Sequence, residues 1–251
     1  MMYILAFETT GEKASVACID EKGGLICESS DGPRNHLQSL MPMTQSLLKK
    51  NGITSGDISC VAASCGPGSF TGIRIGVTTA RAFAQAAGIP CIAVPTLPAF
   101  IYNIEEYNGL VCPILDARRD QVYGGAYIWN KNKTDIVTAV AGGAYGIKEY
   151  LELLSLKVSE IENCDIMFFG DGLKKYQNDI QIWGKGMPVG FAEGGNRLQK
   201  APSAAKLALK LWNEGKRLNF NEFMPLYMRK AEAERKLEAN NNERSSYQAG
   251  E

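Results

Sequence analysis

Short apolar runs closed by glycine or polar residues alternate along this chain with longer stretches in which apolar residues recur every three or four positions. Tyr3 to Phe7 is the first run and predicts a buried strand ending at the polar turn Glu8-Thr9-Thr10-Gly11. Ala14 to Ile19 and Leu25 to Ser29 predict two more strands, joined by a hairpin at Lys22-Gly23-Gly24. Leu37, Leu40, Met41, Leu47 and Leu48 then mark a helix over residues 36–50, which Gly52 ends. Pro42 lies inside it and is expected to kink it or to hold it near the first turn, because proline lacks the N–H a helix interior needs.

Cys60 to Ser64 predicts a strand that leads into the segment from Cys65 to Gly88, around which the chain is organised. Gly66-Pro67-Gly68 forms a tight corner, and Ser69 or Thr71 supplies a side-chain oxygen to cap a following helix. Within that helix Gly72, Gly76, Ala80 and Ala84 recur every fourth residue on one face. Glycine costs about 1 kcal/mol against alanine in a helix interior, so two of them point to a close approach by another backbone. Cys91 to Val94 predicts a strand and Leu97 to Tyr107 a short helix.

The pattern then repeats. Leu110 to Leu115 is an apolar strand ending at Asp116-Ala117-Arg118-Arg119. Val122 to Trp129 and Ile136 to Val140 predict strands, Ile147 to Leu156 a helix, Asp165 to Phe169 a strand ending in Gly170-Asp171-Gly172, and Ala204 to Trp212 a helix. Strand triplet, helix, strand and helix, met twice, predicts a duplicated α/β fold. The expected division is 1–105 and 106–228. A polar tail at 229–251, with five basic and five acidic residues, is expected to be the end of a solvated helix followed by disorder from about Asn240.

Composition narrows the compartment and the partners. Lys+Arg and Asp+Glu both number 27, so the chain carries no net charge and no phosphate-binding field of its own. Its seven cysteines form no CxxC pair and lie mostly in apolar runs, which reads as reduced thiols in a cytoplasmic protein. No apolar run reaches the roughly 18 residues that span a membrane, and Glu8 arrives too early for a signal peptide.

The candidate chemistry is sparse. His36 is the only histidine, so no HExxH metal pair exists and a peptidase of that class lacks its ligands; His36 reads as a helix-start or interface residue. No Ser/His/Asp arrangement is legible either. Glu8 and Asp116 each follow a strand, where acids of an actin-like fold help position a metal-bound nucleotide, or else simply cap a turn. Arg74, Arg118 and Arg119 are candidates to receive phosphate or carboxylate, Arg74 alternatively to pair with an acid across an interface. The turn at Gly66 and Gly68 is either a phosphate cradle at a helix N-terminus or a structural corner. A Walker loop would need Gly-Lys-Ser/Thr, and a dinucleotide fingerprint would need glycine at Thr71; both are missing. The corner that aims a docking helix is therefore the first reading, and nucleotide contact the second.

Gly66-Pro67-Gly68-Ser69-Phe70-Thr71-Gly72-Ile73-Arg74-Ile75-Gly76 resembles the signature of the bacterial TsaB (YeaZ) family. So do Arg34-Asn35-His36, Asp116-Ala117-Arg118-Arg119-Asp120-Gln121-Val122-Tyr123, Gly170-Asp171-Gly172 and Pro225-Leu226-Tyr227-Met228-Arg229, in the family's order and over nearly the whole chain. The resemblance implies an actin-like, Hsp70-like duplicated fold and a role in making threonylcarbamoyladenosine beside the tRNA anticodon. It implies a non-catalytic subunit, with a TsaD-type paralogue carrying the metal site on a histidine pair and transferring threonylcarbamoyl to tRNA. A small TsaE-type ATPase joins the pair, and tRNA is met only through the complex.

The paralogue would pack on the helices of the first domain. The expected interface is His36, Leu37, Leu40, Met41, Gly72, Gly76 and Ala80, with self-association through the same helices when the partner is missing. No metal site and no required cofactor are expected. ATP or ADP with Mg²⁺ is allowed at the complex interface, through Glu8, Thr9, Gly66, Gly68, Asp116, Gly170 and Gly172. Glu8 stands where the family often has Asp, and Gly170-Asp171-Gly172 replaces a longer glycine-rich loop of nucleotide-binding relatives; both argue against independent ATP hydrolysis. The alternative is a small actin-like ATPase or kinase using Glu8, Asp116 and Mg²⁺.

Overall fold

The computed structural model describes residues 2–30, 36–161 and 164–229, with 27–30 as backbone only. Arg34, Asn35 and the tail beyond Arg229 lie outside the described residues.

The first half forms β1 (Tyr3–Glu8), β2 (Ser15–Asp20), β3 (Leu25–Ser30), α1 (His36–Lys50), β4 (Ile58–Gly66), α2 (Phe70–Ala87) and β5 (Cys91–Pro95). A helical turn, α3 (Thr96–Ala99), and a 3-10 turn at Phe100–Asn103 follow, where the sequence predicts a helix running on to Tyr107. The second half forms β6 (Leu110–Asp116), β7 (Gln121–Trp129), β8 (Ile136–Gly146), α4 (Ile147–Val158), β9 (Ile166–Phe169), α5 (Leu173–Trp183), β10 (Val189–Phe191) and α6 (Ala201–Asn213). The first sheet runs β3-β2-β1-β4-β5, and the second, read from the same end, β8-β7-β6-β9-β10. In each, the first strand pairs antiparallel with the second and parallel with the fourth. The duplication is therefore one of topology, strand for strand.

One assignment changes. The helix at Ala204 to Trp212 is not the second helix of the second repeat. That place belongs to α5, whose Leu173, Tyr176 and Ile180 are buried at helical spacing. Helix α6 instead lays Ala201, Ala204, Ala205, Leu207 and Ala208 on Ile4, Ala6, Ile19, Ala62 and Val94 of the first sheet. The other face of that sheet is covered by α1 and α2 through Leu40, Leu47, Ile73 and Val77. Reciprocally, Leu97, Phe100 and Ile101, which follow β5, pack on Val111, Leu115, Tyr127 and Phe169 of the second sheet. Each half thus covers the inner face of the other's sheet with its own last helical segment. Buried apolar area contributes roughly 25 cal/mol per Å², so this exchange ties the two halves together.

Helix α2 shows how local chemistry sets its limits. Ser69 caps it by accepting from the Gly72 N–H, and Gly88 ends it in the left-handed conformation at φ 66°. Helix α1 runs continuously across Pro42, which lies on its exposed side. Among the described residues no helix is long and apolar enough to cross a membrane. Among the described residues Cys18, Cys60, Cys65, Cys91, Cys112 and Cys164 are buried and none is in a disulfide, and burial pushes the Cys65 thiol up to about 11.

Candidate functional site

The turn after β1 is the point on which both outer helices of the first domain are hung. The Glu8 carboxylate is buried beneath it. One oxygen accepts from the Thr10 N–H and the Thr10 hydroxyl, both at 2.6 Å, and the other accepts from the Ser64 hydroxyl on β4. Burial raises the Glu8 pKa above its ordinary value, while the Ser64 and Thr10 bonds and nearby His36 oppose the rise. The Thr9 hydroxyl donates to the Gly72 carbonyl at 2.7 Å, the Ser69 N–H donates to the Thr10 carbonyl at 2.8 Å, and His36 Nε2 lies 3.0 Å from the Gly11 carbonyl oxygen. The start of α1, the start of α2 and β4 are thus all bonded to four consecutive residues.

This geometry explains the glycines and corrects their reading. A Cβ at Gly72 would collide with the Thr9 carbonyl, and one at Gly76 with the Thr9 hydroxyl oxygen. Ala80, further along the stripe, is also buried. Gly72, Gly76 and Ala80 therefore face inward and are not a surface offered to another chain. Leu40 is likewise a core residue at 1% exposure. What α1 does present is Leu37, 75% exposed, and Met41, 39% exposed, one turn apart on the same face. His36 sits at the head of that helix.

The same test applies to nucleotide. Gly68, at φ 155°, brings its backbone against Thr10, where a Cβ would stand 2.7 Å from the Thr10 carbonyl. Gly66, at φ 127°, lies against the Leu226 carbonyl. Gly170 and Gly172 pack on the Ile114 carbonyl, which accepts from the Gly172 N–H at 3.1 Å. The side chains of Glu8 and Thr9 and the clearances at Gly66, Gly68, Gly170 and Gly172 are thus taken up within the chain. Asp116 differs: its side chain is 29% exposed, one oxygen accepts from the Arg118 N–H at 2.9 Å, and the Arg118 guanidinium stands 3.8 Å from the other.

The two halves meet at these turns. Lys174 on α5 pairs with Glu12 beside the first turn. Within the second half, the Asp116 N–H donates to Asp171 at 3.1 Å. Burial raises the Asp171 pKa, the Asp116 N–H lowers it, and the Asp116 charge adds to the rise. Arg118, Arg119 and Asp120 hold three successive left-handed backbones, φ 63°, 52° and 58°. Among the described residues no group of three or more His, Cys, Asp or Glu side chains is placed to hold a metal. Sequence reasoning missed Ser64, Thr10 and Tyr227 as partners at this site. Among the described residues Arg74 pairs with no acid; its Nε donates to the Tyr227 hydroxyl at 2.8 Å.

Two sheets of one topology, with an acid at the end of the first strand of each, define a protein of the duplicated actin-like α/β class. The family model described as TsaD: tRNA N6-adenosine threonylcarbamoyltransferase matches residues 11–237. The tRNA threonylcarbamoyladenosine biosynthesis protein TsaB of Bacillus subtilis is 32% identical, across 94% of this chain and 97% of its own. Its Escherichia coli counterpart is 29% identical, across 94% and 98%. Among solved structures, YeaZ from Pseudomonas aeruginosa superposes with a TM-score of 0.74 at 25% identity, covering 90% of this chain and all of its own. The chain belongs to the TsaB family of tRNA threonylcarbamoyladenosine biosynthesis proteins.

Proposed function

We propose that this chain is a non-catalytic subunit in the formation of threonylcarbamoyladenosine on tRNA, docking a TsaD-type catalytic paralogue on the outer face of α1 and α2. The observation that carries the reading is the exposed pair Leu37 and Met41 on a helix anchored by His36 to the turn after β1. Large apolar side chains exposed together on one helix face are suited to a partner surface. The sequence has a single histidine, where the resemblance gives the catalytic paralogue a pair. In this reading tRNA and a small TsaE-type ATPase are met through the complex, in the cytoplasm. The chain needs no cofactor of its own, and any ATP or ADP with Mg²⁺ is handled where the subunits join. A second copy of the chain takes the same face when the paralogue is missing.

The test is a variant carrying both Leu37→Asp and Met41→Asp, titrated against a TsaD-type subunit by calorimetry. Two charges forced into an apolar interface are expected to weaken binding on the order of 10²-fold or more, with Tm unchanged because neither side chain is buried in the chain itself. Unchanged affinity would remove α1 from the interface.

A further inference from the structure

Pro225-Leu226-Tyr227-Met228-Arg229 has no part in the partner reading, yet the structure gives each end of this segment to a different half of the molecule. After α6 the chain returns to the first sheet, where Leu218 bridges Cys91 of β5 and Phe223 is buried among the side chains beneath α1 and α2. The Leu226 N–H then donates to the Cys65 carbonyl at 2.8 Å, and the Leu226 carbonyl lies over Gly66 so closely that a Cβ there would collide with it. The Tyr227 ring stacks on Phe70, the first residue of α2, with centroids 4.7 Å apart. Arg74 lies over the Phe70 ring at 4.1 Å and donates to the Tyr227 hydroxyl. At the next residue the grip passes to the other half. Met228 packs into the cluster containing Val111, Leu115 and Tyr127, and Arg229 Nη1 donates to the Ala117 carbonyl at 2.6 Å, just after β6.

We propose that residues 223–229 form a clasp that holds the two halves at a fixed angle, coupling the start of α2 to the loop after β6. Hydrogen bonds to charged donors and aromatic stacks are each strong enough to govern local opening. Phe223 makes the first-domain end a buried anchor and not a surface contact. The inference stands apart from the docking reading, since it concerns the relation between the halves of one chain.

Hydrogen exchange on the full-length chain tests it, with Tyr227→Ala and Arg229→Ala made separately. A clasp couples its ends. Each variant is therefore expected to raise exchange at both residues 66–74 and residues 116–121, on the order of tenfold, with the β2–β3 hairpin unchanged. Tyr227→Ala raising exchange only near α2, and Arg229→Ala only after β6, would reduce the segment to two local contacts and overturn the clasp, as would no change in either. If an alanine variant exchanges everywhere, the milder Tyr227→Phe and Arg229→Met are read by the same two-ended criterion.

Discussion

The turn after β1 and the turn after β6 occupy the same place in two copies of one topology, and they are finished differently. In the first, Glu8 is buried, both oxygens are bonded within the chain, and Thr9 is wedged against the glycines of α2. In the second, Asp116 reaches solvent, its neighbour Asp171 comes from the turn before α5, and α5 carries Leu173, Tyr176 and Ile180 where α2 carries its small stripe. The equivalent strand ends put an acid in both places; the side chains around them decide whether that acid is structural or open. The sealed turn fixes two helices, which suits a surface that must keep its shape. The open one leaves a carboxylate and an exposed arginine side by side.

The comparison breaks most visibly at α2. Helix propensity alone has Gly72→Ala stabilising by about 1 kcal/mol. The contact with the Thr9 carbonyl reverses the sign, because the new methyl would overlap backbone that cannot move aside without dragging β1. A loss of about 2–3 kcal/mol is expected, lowering Tm by roughly 6 °C or more in thermal unfolding. Gly76→Leu, a larger insertion against Thr9, is expected to cost more. A stabilised Gly72→Ala protein would mean that the first turn is not sealed.

A smaller effect distinguishes the two acids by pH. The folded-state pKa of Glu8 is raised above 4.5, so the native state holds that proton more tightly than the unfolded chain. The contribution of Glu8 to stability is therefore greatest at and below pH 4.5, and it is lost as pH rises through the raised folded value. Gln at this position keeps an acceptor for Thr10 and offers a donor to Ser64, so Glu8→Gln should fold and should lose that part of the slope. Urea unfolding at a series of pH values from about 5 to 8 measures it. Identical slopes in both proteins would show that Glu8 is not the buried titrating group.

Much of this was legible in the order of apolar runs, and the part that was not has a common cause. Short apolar runs locate nine of the ten strands among the described residues and show the repeat. Helix α5 does not stand out in the sequence because polar residues surround its buried Leu173, Tyr176 and Ile180. The four-residue stripe of α2 signals a close approach, but the sequence assigns that approach to another chain where the structure has Thr9 of the same chain, because periodicity says which face is small and not what lies on it. The covering residue, Thr9, is 63 positions away. The burial of Glu8 depends in the same way on Ser64, 56 positions distant. The segment around Tyr227 carried a recognisable motif, while its contacts with Cys65, Phe70 and Ala117 exist only once the halves are assembled.

The smallest effect is expected at Asp116, and its smallness is the point. Its partly exposed side chain accepts one backbone N–H and faces an arginine that is 87% exposed, an arrangement in which an ion pair contributes little. Asp116→Asn keeps the acceptor for Arg118 and removes a charge that adds to the raised pKa of Asp171. Stability should change by less than about 0.5 kcal/mol. Desolvation remains the main cause of the Asp171 shift, so its carboxyl should titrate lower than in the parent protein while staying above its ordinary value. Carbon-detected NMR titration of the Asp171 carboxyl, set beside urea unfolding of the same variant, reads both. A loss of about 3 kcal/mol or more, the order seen when a buried charge loses its partner, would make Asp116 as structural as Glu8 and erase the difference between the two turns.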